Sequence, residues 1–164
     1  MAQVRWEGFD GDLVRLQSQL EHLLAQTEGR AVVLMDQAGR LLSLAGDAPQ
    51  FDVTTFVSLM AADFCATQEL ARLLGEDQFH SVAHQGDDLS LYLTQVTPGT
   101  ILALVFDRET TLGLVRFSVR RLLPALGETI RAGIERSSAE SPALGDTFGE
   151  EALGRIDRLF GSPA

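Results

Sequence analysis

The sequence predicts an α/β sandwich of mixed α+β type, in which a five-stranded antiparallel sheet carries helices on both faces. Three segments repeat apolar residues at helical spacing. Five shorter segments are rich in apolar and β-branched residues or alternate apolar with polar ones, and tight turns separate them. The resulting order is α-β-β-α-β-β-β-α, which a chain of 164 residues can build as one domain.

The C-terminal part of the chain differs in composition from the rest. Residues 1–136 form the predicted domain, and residues 137–149 (SSAESPALGDTFG) have the composition of a flexible linker. Residues 150–164 contain a predicted short amphipathic helix, whose apolar stripe is Leu153, Ile156, Leu159 and Phe160. So short a helix is marginal alone and needs a surface to lie on, either its own domain or a partner.

The first helix and the first two strands precede the centre of the chain. The helix begins at Asp10 or Asp12 and ends near Gly29, and its apolar stripe is Leu13, Leu16, Leu20, Leu23 and Leu24. Residues 30–36 and 40–44 then form a predicted hairpin. The first of these strands is continuously apolar over four residues, which predicts that it is covered on both faces.

The second half of the chain predicts a three-stranded meander and a last helix. The strands are residues 78–84, 89–96 and 100–106. The helix runs from a threonine cap at residues 110–111 to about Arg136, and we expect Pro124 to kink or interrupt it. Its polar side, which is either a solvated face or a docking patch for an acidic partner, carries Arg116, Arg120, Arg121 and Arg131.

Residues 52–75 form the central helix of the predicted fold. Asp52 is placed to accept a hydrogen bond from an amide of the first turn, and Gly75 lies where a helix commonly ends in a left-handed conformation. No proline or glycine interrupts the segment between these two residues. We therefore expect one helix of about six turns.

This central helix is apolar around more than half of its circumference. One flank comprises Val53, Phe56, Val57, Met60, Phe64, Ala71 and Leu74. A second flank comprises Leu59, Ala62, Ala66, Leu70 and Leu73. Such a helix must bury both flanks, either inside the core of a monomer or between its own sheet and a second chain. Periodicity leaves both interpretations open.

Composition excludes several classes of partner and location. A net charge of −10 argues against nucleic acids and anionic membranes as partners. The apolar runs are too short to insert directly into a membrane, and the N-terminus lacks the pattern of a signal peptide. The single Cys65 cannot form an internal disulfide, which fits a reducing compartment. We expect a cytoplasmic protein.

The chain carries few residues suited to catalysis. It contains no P-loop, no G-x-G-x-x-G, no G-x-S-x-G and no H-E-x-x-H motif. On the predicted strand His80 and His84 share a face but stand about 13 Å apart, which is too far to bind one ion. Cys65 is more typical of a small packing residue than of a nucleophile. We therefore expect no catalytic residue, no metal site and no cofactor, and a protein that is not itself an enzyme.

Two segments resemble a known family. They are residues 66–93 (ATQELARLLGEDQFHSVAHQGDDLSLYL) and residues 104–117 (LVFDRETTLGLVRF). Together with the order of the elements, they resemble the Roadblock/dynein light chain family, and within it the bacterial polarity regulators of the MglB type. The terminal EEALGRIDRLF is similar to the C-terminal helix of those regulators.

The resemblance implies a homodimer joined through the central helix and a sheet edge. It implies as partner a Ras-like small GTPase of the MglA type, whose GTP hydrolysis the dimer activates and whose nucleotide exchange it can also promote. The cellular role implied is polarity and gliding motility, in the cytoplasm and at a cell pole. The GTPase interface would be the narrow side of the central helix, at Thr54, Ser58, Ala61, Ala62, Cys65, Gln68, Glu69 and Arg72. The C-terminal stripe would make a secondary contact with the partner.

The mechanism implied by the resemblance is that the regulator repositions the catalytic Arg and Gln of the GTPase itself. Arg72, the one arginine of the central helix, is the residue that an arginine-finger mechanism would use instead. Two other functions remain open. One is a Roadblock scaffold that binds a GTPase or motor component without activating it. The other is a small-molecule sensor, which requires a polar-lined cavity and has only His80, His84 and Tyr92 as candidate ligand-binding residues.

Overall fold

The computed structural model describes residues 10–47 and 52–140. Within them, three helices and five strands follow one another in the predicted order. Their bounds are α1 Asp10–Thr27, β1 Ala31–Asp36, β2 Leu41–Gly46, α2 Val53–Leu73, β3 Ser81–Gln85, β4 Leu89–Thr97, β5 Thr100–Asp107 and α3 Leu112–Glu140. This confirms the predicted fold class.

The five strands form one antiparallel sheet in the order β2-β1-β5-β4-β3. Strand β1 pairs with β5, so the N-terminal hairpin joins the meander through the last strand of the chain. The six residues of β1 are all buried, as the continuous apolar run predicts. Strands β2 and β3 are the two edges of the sheet.

The sheet buries apolar side chains on both faces. On one face Val57, Ala61 and Phe64 of α2 pack in a cluster with Val33, Met35, Leu93, Ile101 and Ala103. The alternate strand residues belong to the opposite face. Helix α1 packs on β1 and β2, and α3 passes close to β4, where Gly127 lies next to Thr97. The buried side chains there include Leu16, Leu20, Leu23, Val115, Val119, Leu126 and Ile130.

Strand β3 begins later than the sequence predicts. Its first residue is Ser81 rather than Gln78. The side chain of Gln68 in α2 is hydrogen-bonded to both backbone groups of Phe79. Its amide donates to the Phe79 carbonyl at 2.9 Å, and its oxygen accepts from the Phe79 N–H at 3.2 Å. Because both polar groups of Phe79 are bonded to this side chain, the residue cannot join the ladder with β4.

Helix α3 is continuous across Pro124, so the predicted interruption does not occur. The helix also continues past Arg136 as far as Glu140, into the segment predicted as linker. Residues 141–164 lie outside the described part of the chain, and with them the predicted C-terminal stripe, Leu153, Ile156, Leu159 and Phe160. Among residues 10–47 and 52–140, no helix has both the length and the hydropathy needed to cross a membrane.

Candidate protein interface on helix α2

Helix α2 begins and ends where its capping residues predict. The Asp52 carboxylate accepts hydrogen bonds from the Thr55 hydroxyl at 2.6 Å and from the Thr54 and Thr55 backbone N–H groups at 3.1 and 3.2 Å. These bonds favour the ionised form, and the Thr55 hydroxyl contributes most to lowering the pKa of Asp52. At the other end, Gly75 has a φ of +79°, and a Schellman pair of backbone bonds closes the last turn.

The first apolar flank of α2 faces the sheet. Val57, Phe64 and Ala71 are at most 1 % exposed. Leu74, which we assigned to this flank, is 72 % exposed, because the helix ends at Leu73 and Leu74 caps it. Ala61 takes part in the buried cluster instead, at 3 % exposure.

The second apolar flank of α2 is exposed. Leu59, Leu70 and Leu73 are 60, 55 and 82 % exposed, and Ala66 between them is exposed as well. With Asp63 they are spaced alternately four and three residues apart, which makes one ridge along the helix. We call Leu59, Asp63, Ala66, Leu70 and Leu73 the outer ridge. Within residues 10–47 and 52–140, α2 therefore buries one apolar flank and leaves the other open.

The outer ridge borders the free edge of the sheet. The Asp63 carboxylate lies 2.7 Å from Nε2 of His84 in β3, so a hydrogen bond joins the ridge to that strand. Within the part of the chain that the structure describes, β3 pairs with β4 alone and leaves its other side open. The ridge and the edge strand therefore form one continuous surface, with apolar side chains and unpaired backbone groups side by side.

Six of the eight residues predicted at the GTPase interface lie along one exposed stripe of α2. The exposed residues are Thr54, Ser58, Ala62, Cys65, Glu69 and Arg72. At about 100° per residue they span about 80° of the helix circumference, beside the outer ridge. We call these six residues the polar stripe. Ala61 instead contributes to the core, and Gln68 is half-buried and holds the backbone of Phe79.

The charged groups of the polar stripe pair with each other. The Arg72 guanidinium lies 2.6 Å from the Glu69 carboxylate one turn earlier, and both side chains are about two-thirds exposed. Near the other end, the Ser58 hydroxyl donates to the Thr54 carbonyl at 2.8 Å. The stripe is therefore a nearly neutral surface of small and polar groups, with one ion pair at its C-terminal end.

Sequence reasoning missed the contacts that join α2 to β3. Neither Asp63 nor the double hydrogen bond of Gln68 has a local signal, because both partners are more than ten residues away along the chain. His80 and His84 do not share a face, contrary to our expectation. His84 contacts α2, whereas His80 precedes the strand and lines a cleft beside α3. Among the described residues, no three His, Cys, Asp or Glu side chains are grouped so as to hold a metal ion.

Comparison with known proteins places this architecture in a family. The Roadblock/LC7 domain model matches residues 16–106, which is more than half of the chain. The chain therefore belongs to the Roadblock/LC7 domain family. None of the curated proteins compared with the chain matches it.

Among solved structures, the chain is similar to MglB proteins. Myxococcus xanthus MglB is 32 % identical with a TM-score of 0.69, and the match covers 72 % of this chain and 96 % of that one. The gliding protein MglB from Thermus thermophilus is 34 % identical with a TM-score of 0.67, covering 72 % and 90 %. An MglB structure with a tetrameric arrangement is 33 % identical with a TM-score of 0.70, covering 74 % and 92 %.

Proposed function

We propose that this chain is a homodimeric regulator that activates GTP hydrolysis by a Ras-like small GTPase of the MglA type. It acts in bacterial cell polarity and gliding motility, in the cytoplasm and at a cell pole. One observation carries the proposal: an exposed apolar ridge lies next to an open sheet edge in a chain that is similar to MglB proteins.

The outer ridge and strand β3 are the proposed dimer interface. Burying a leucine side chain contributes about 1.5–3 kcal/mol, so pairing two copies of a ridge with three exposed leucines is strongly favourable. A two-fold axis beside β3 sets the same surface of each copy against the other, and the open edges then pair as antiparallel strands. Sedimentation velocity of the full chain tests this and separates a dimer from the tetramer described for one MglB structure.

The polar stripe is the proposed GTPase interface. In the proposed dimer the two stripes flank the paired ridges, so they form a common platform for one GTPase molecule. Small exposed side chains at Ser58, Ala62 and Cys65 permit a close approach of the partner backbone. A mixed surface of this kind suits a transient complex, because a wide bare apolar face would associate without specificity.

The decisive experiment measures single-turnover GTP hydrolysis by an MglA-type GTPase with and without this protein. We expect the rate to rise with protein concentration and to saturate. Cys65→Arg puts a long charged side chain in the middle of the polar stripe, so it should abolish both binding and stimulation while the dimer persists. Glu128→Arg, an exposed change to the same residue type on α3, is the matched control and should leave the rate unchanged. A saturable complex with no acceleration would identify a scaffold instead.

Arg72 is proposed to contact the GTPase without entering its active site. Its guanidinium is already paired with Glu69, and an arginine finger would have to leave that carboxylate. Loss of a finger costs about 10³–10⁵ in rate. We therefore expect Arg72→Ala to reduce stimulation less than about tenfold. A loss of about a thousandfold or more with binding intact would assign the finger to Arg72.

The segment 150–164 is proposed as a secondary contact with the GTPase. Its apolar residues Leu153, Ile156, Leu159 and Phe160 lie outside the described part of the chain. Deleting residues 150–164 should weaken or retune the stimulation of GTP hydrolysis and leave the dimer intact. Release of a fluorescent GDP analogue from the GTPase, measured with the full chain and with the deletion, tests whether the segment contributes to nucleotide exchange.

A further inference from the structure

A polar cleft lies on the face of the sheet opposite α2. It has a volume of about 430 Å³ and opens between α3 and the strands β3 and β4. This size falls within the range of small-molecule sites. The cleft is distinct from the polar stripe and the outer ridge, which belong to α2, and it shares only Ser81 of β3 with the proposed dimer interface.

The described lining of the cleft contains a cation and neutral donors. Arg120 contributes a guanidinium that forms no ion pair with any described residue, and none of the described residues that line the cleft is an Asp or Glu, in a chain that has 23 of them. Tyr92 is 3 % exposed, and its hydroxyl has no hydrogen-bond partner among the residues described. The cleft therefore carries local positive charge in a chain whose net charge is −10.

His80 adds a third donor at the mouth of the cleft. The Gln78 side-chain amide nitrogen lies 3.4 Å from Nδ1 of His80. In the tautomer whose Nδ1 accepts the amide proton, the ring carries its own proton on Nε2, and this N–H can donate to a ligand. The cleft can thus surround an acceptor with the guanidinium, the phenol and the imidazole.

Thr97, which also lines the cleft, has a buried hydroxyl with an unmet hydrogen bond among the described residues. The register of β4 shifts between Gln95 and Thr97, and Thr97 packs against α3 with its methyl group 3.7 Å from the place that a Cβ on Gly127 would occupy. Its hydroxyl is buried and has no partner among the described residues. Buried polar atoms are nearly always bonded, and a bulge commonly redirects a side chain at a binding site.

We propose that this cleft binds a small organic molecule that carries a carboxylate or phosphate group. Arg120 pairs with the oxyanion, and Tyr92 and His80 donate to its oxygens. Leu123 and Val96 provide an apolar wall for the body of the ligand. A ligand at this site would let a metabolite influence the protein from the face opposite the proposed GTPase platform.

The test titrates the ¹⁵N-labelled full chain with two probes, inorganic phosphate and benzoate, and follows backbone amides and arginine Nε–H groups by NMR. We expect saturable shifts at Tyr92, Thr97 and the Arg120 side chain with at least one probe. Tighter binding of benzoate assigns a carboxylate with an apolar body, and tighter binding of phosphate assigns a phosphate group. The absence of saturable shifts with both probes would overturn the proposal.

Two variants and one control locate the binding. Arg120→Gln should weaken the affinity of the bound probe about tenfold, and Tyr92→Phe about threefold, because each removes a donor to the oxyanion. Arg116→Gln removes the same charge one turn earlier on α3, from an exposed residue outside the cleft, and should leave the affinity unchanged. Equal weakening by Arg120→Gln and Arg116→Gln would refute a specific site, because it would mean that the probe senses only the general charge of α3.

Discussion

The two apolar flanks of α2 have similar composition and opposite environments. Phe64 and Val57 on the first flank are at most 1 % exposed, whereas Leu59 and Leu73 on the second are 60 and 82 % exposed. Both flanks satisfy the periodicity of a buried helix face, so composition does not distinguish them. The difference comes from the sheet, which lies against only one side of the helix. No described residue covers the second flank, so it is open to the second chain of the proposed dimer.

The largest expected effect on stability comes from a substitution in the sheet-facing flank of α2. Phe64→Ala removes a fully buried aromatic ring and leaves a cavity, so we expect a loss of about 3–5 kcal/mol in the free energy of unfolding. Urea unfolding followed by circular dichroism measures it. Both changes are made in the Leu70→Glu background, in which we expect the proposed dimer to be dissociated. Leu73→Ala, at a residue 82 % exposed, is the control and should there change the protomer stability by less than about 0.5 kcal/mol. An equal loss in the free energy of unfolding for Phe64→Ala and Leu73→Ala would mean that the two flanks are equally buried, which would contradict the comparison.

The second largest expected effect comes from a substitution in the exposed flank of α2, and it concerns dimer formation. Leu70→Glu places a carboxylate between Ala66 and Leu73 of the outer ridge, so we expect the dissociation constant of the proposed dimer to rise about a hundredfold, as at an interface hot spot. Sedimentation velocity over a range of concentrations measures the constant. Leu114→Glu makes the same change at an exposed leucine of α3 and should leave the dimer intact. An unchanged constant for Leu70→Glu would exclude the ridge from the interface.

A smaller effect concerns the C-terminal end of α2. Gly75 has a φ of +79° and no atom within 4 Å of the position of an added Cβ, so Gly75→Ala meets only backbone strain. We expect it to lower the free energy of unfolding by about 1 kcal/mol. Gly113→Ala, in the first turn of α3 with only Thr111 Oγ1 at 4.0 Å from the added Cβ, should instead stabilise by up to about 1 kcal/mol, since alanine is the better helix former. Chemical unfolding of both variants gives the sign of each change.

The smallest effect is the pH dependence of the N-terminal cap of α2. Because its hydrogen bonds lower the pKa of Asp52, the cap stabilises the fold at pH values above the ordinary carboxyl pKa. This contribution is lost as the pH falls through the lowered pKa. Asp52→Asn keeps a good cap that does not titrate. Between about pH 5 and pH 2, the urea midpoint of the variant should therefore fall less than that of the parent. If the urea midpoints of variant and parent fell equally over this pH range, Asp52 would make no contribution to the loss of stability in acid.

Local chemistry explains which features the sequence predicted. The caps of α2 were predictable because Asp52 and Gly75 act on their own neighbours along the chain. The late start of β3 was not, because it depends on Gln68 reaching Phe79 across eleven residues. The burial of Ala61 was not predictable either, since this residue lies at the border between the sheet-facing flank and the polar stripe of α2. The cleft beside α3 depends on how the helix packs on the sheet, which no single segment encodes.

Cys65 gives the polar stripe a built-in spectroscopic reporter. It is the single cysteine of the chain, and its side chain is exposed. A nitroxide attached there needs no change to the protein sequence. In a symmetric dimer it yields one spin–spin distance, and that distance measures how far apart the two stripes are held.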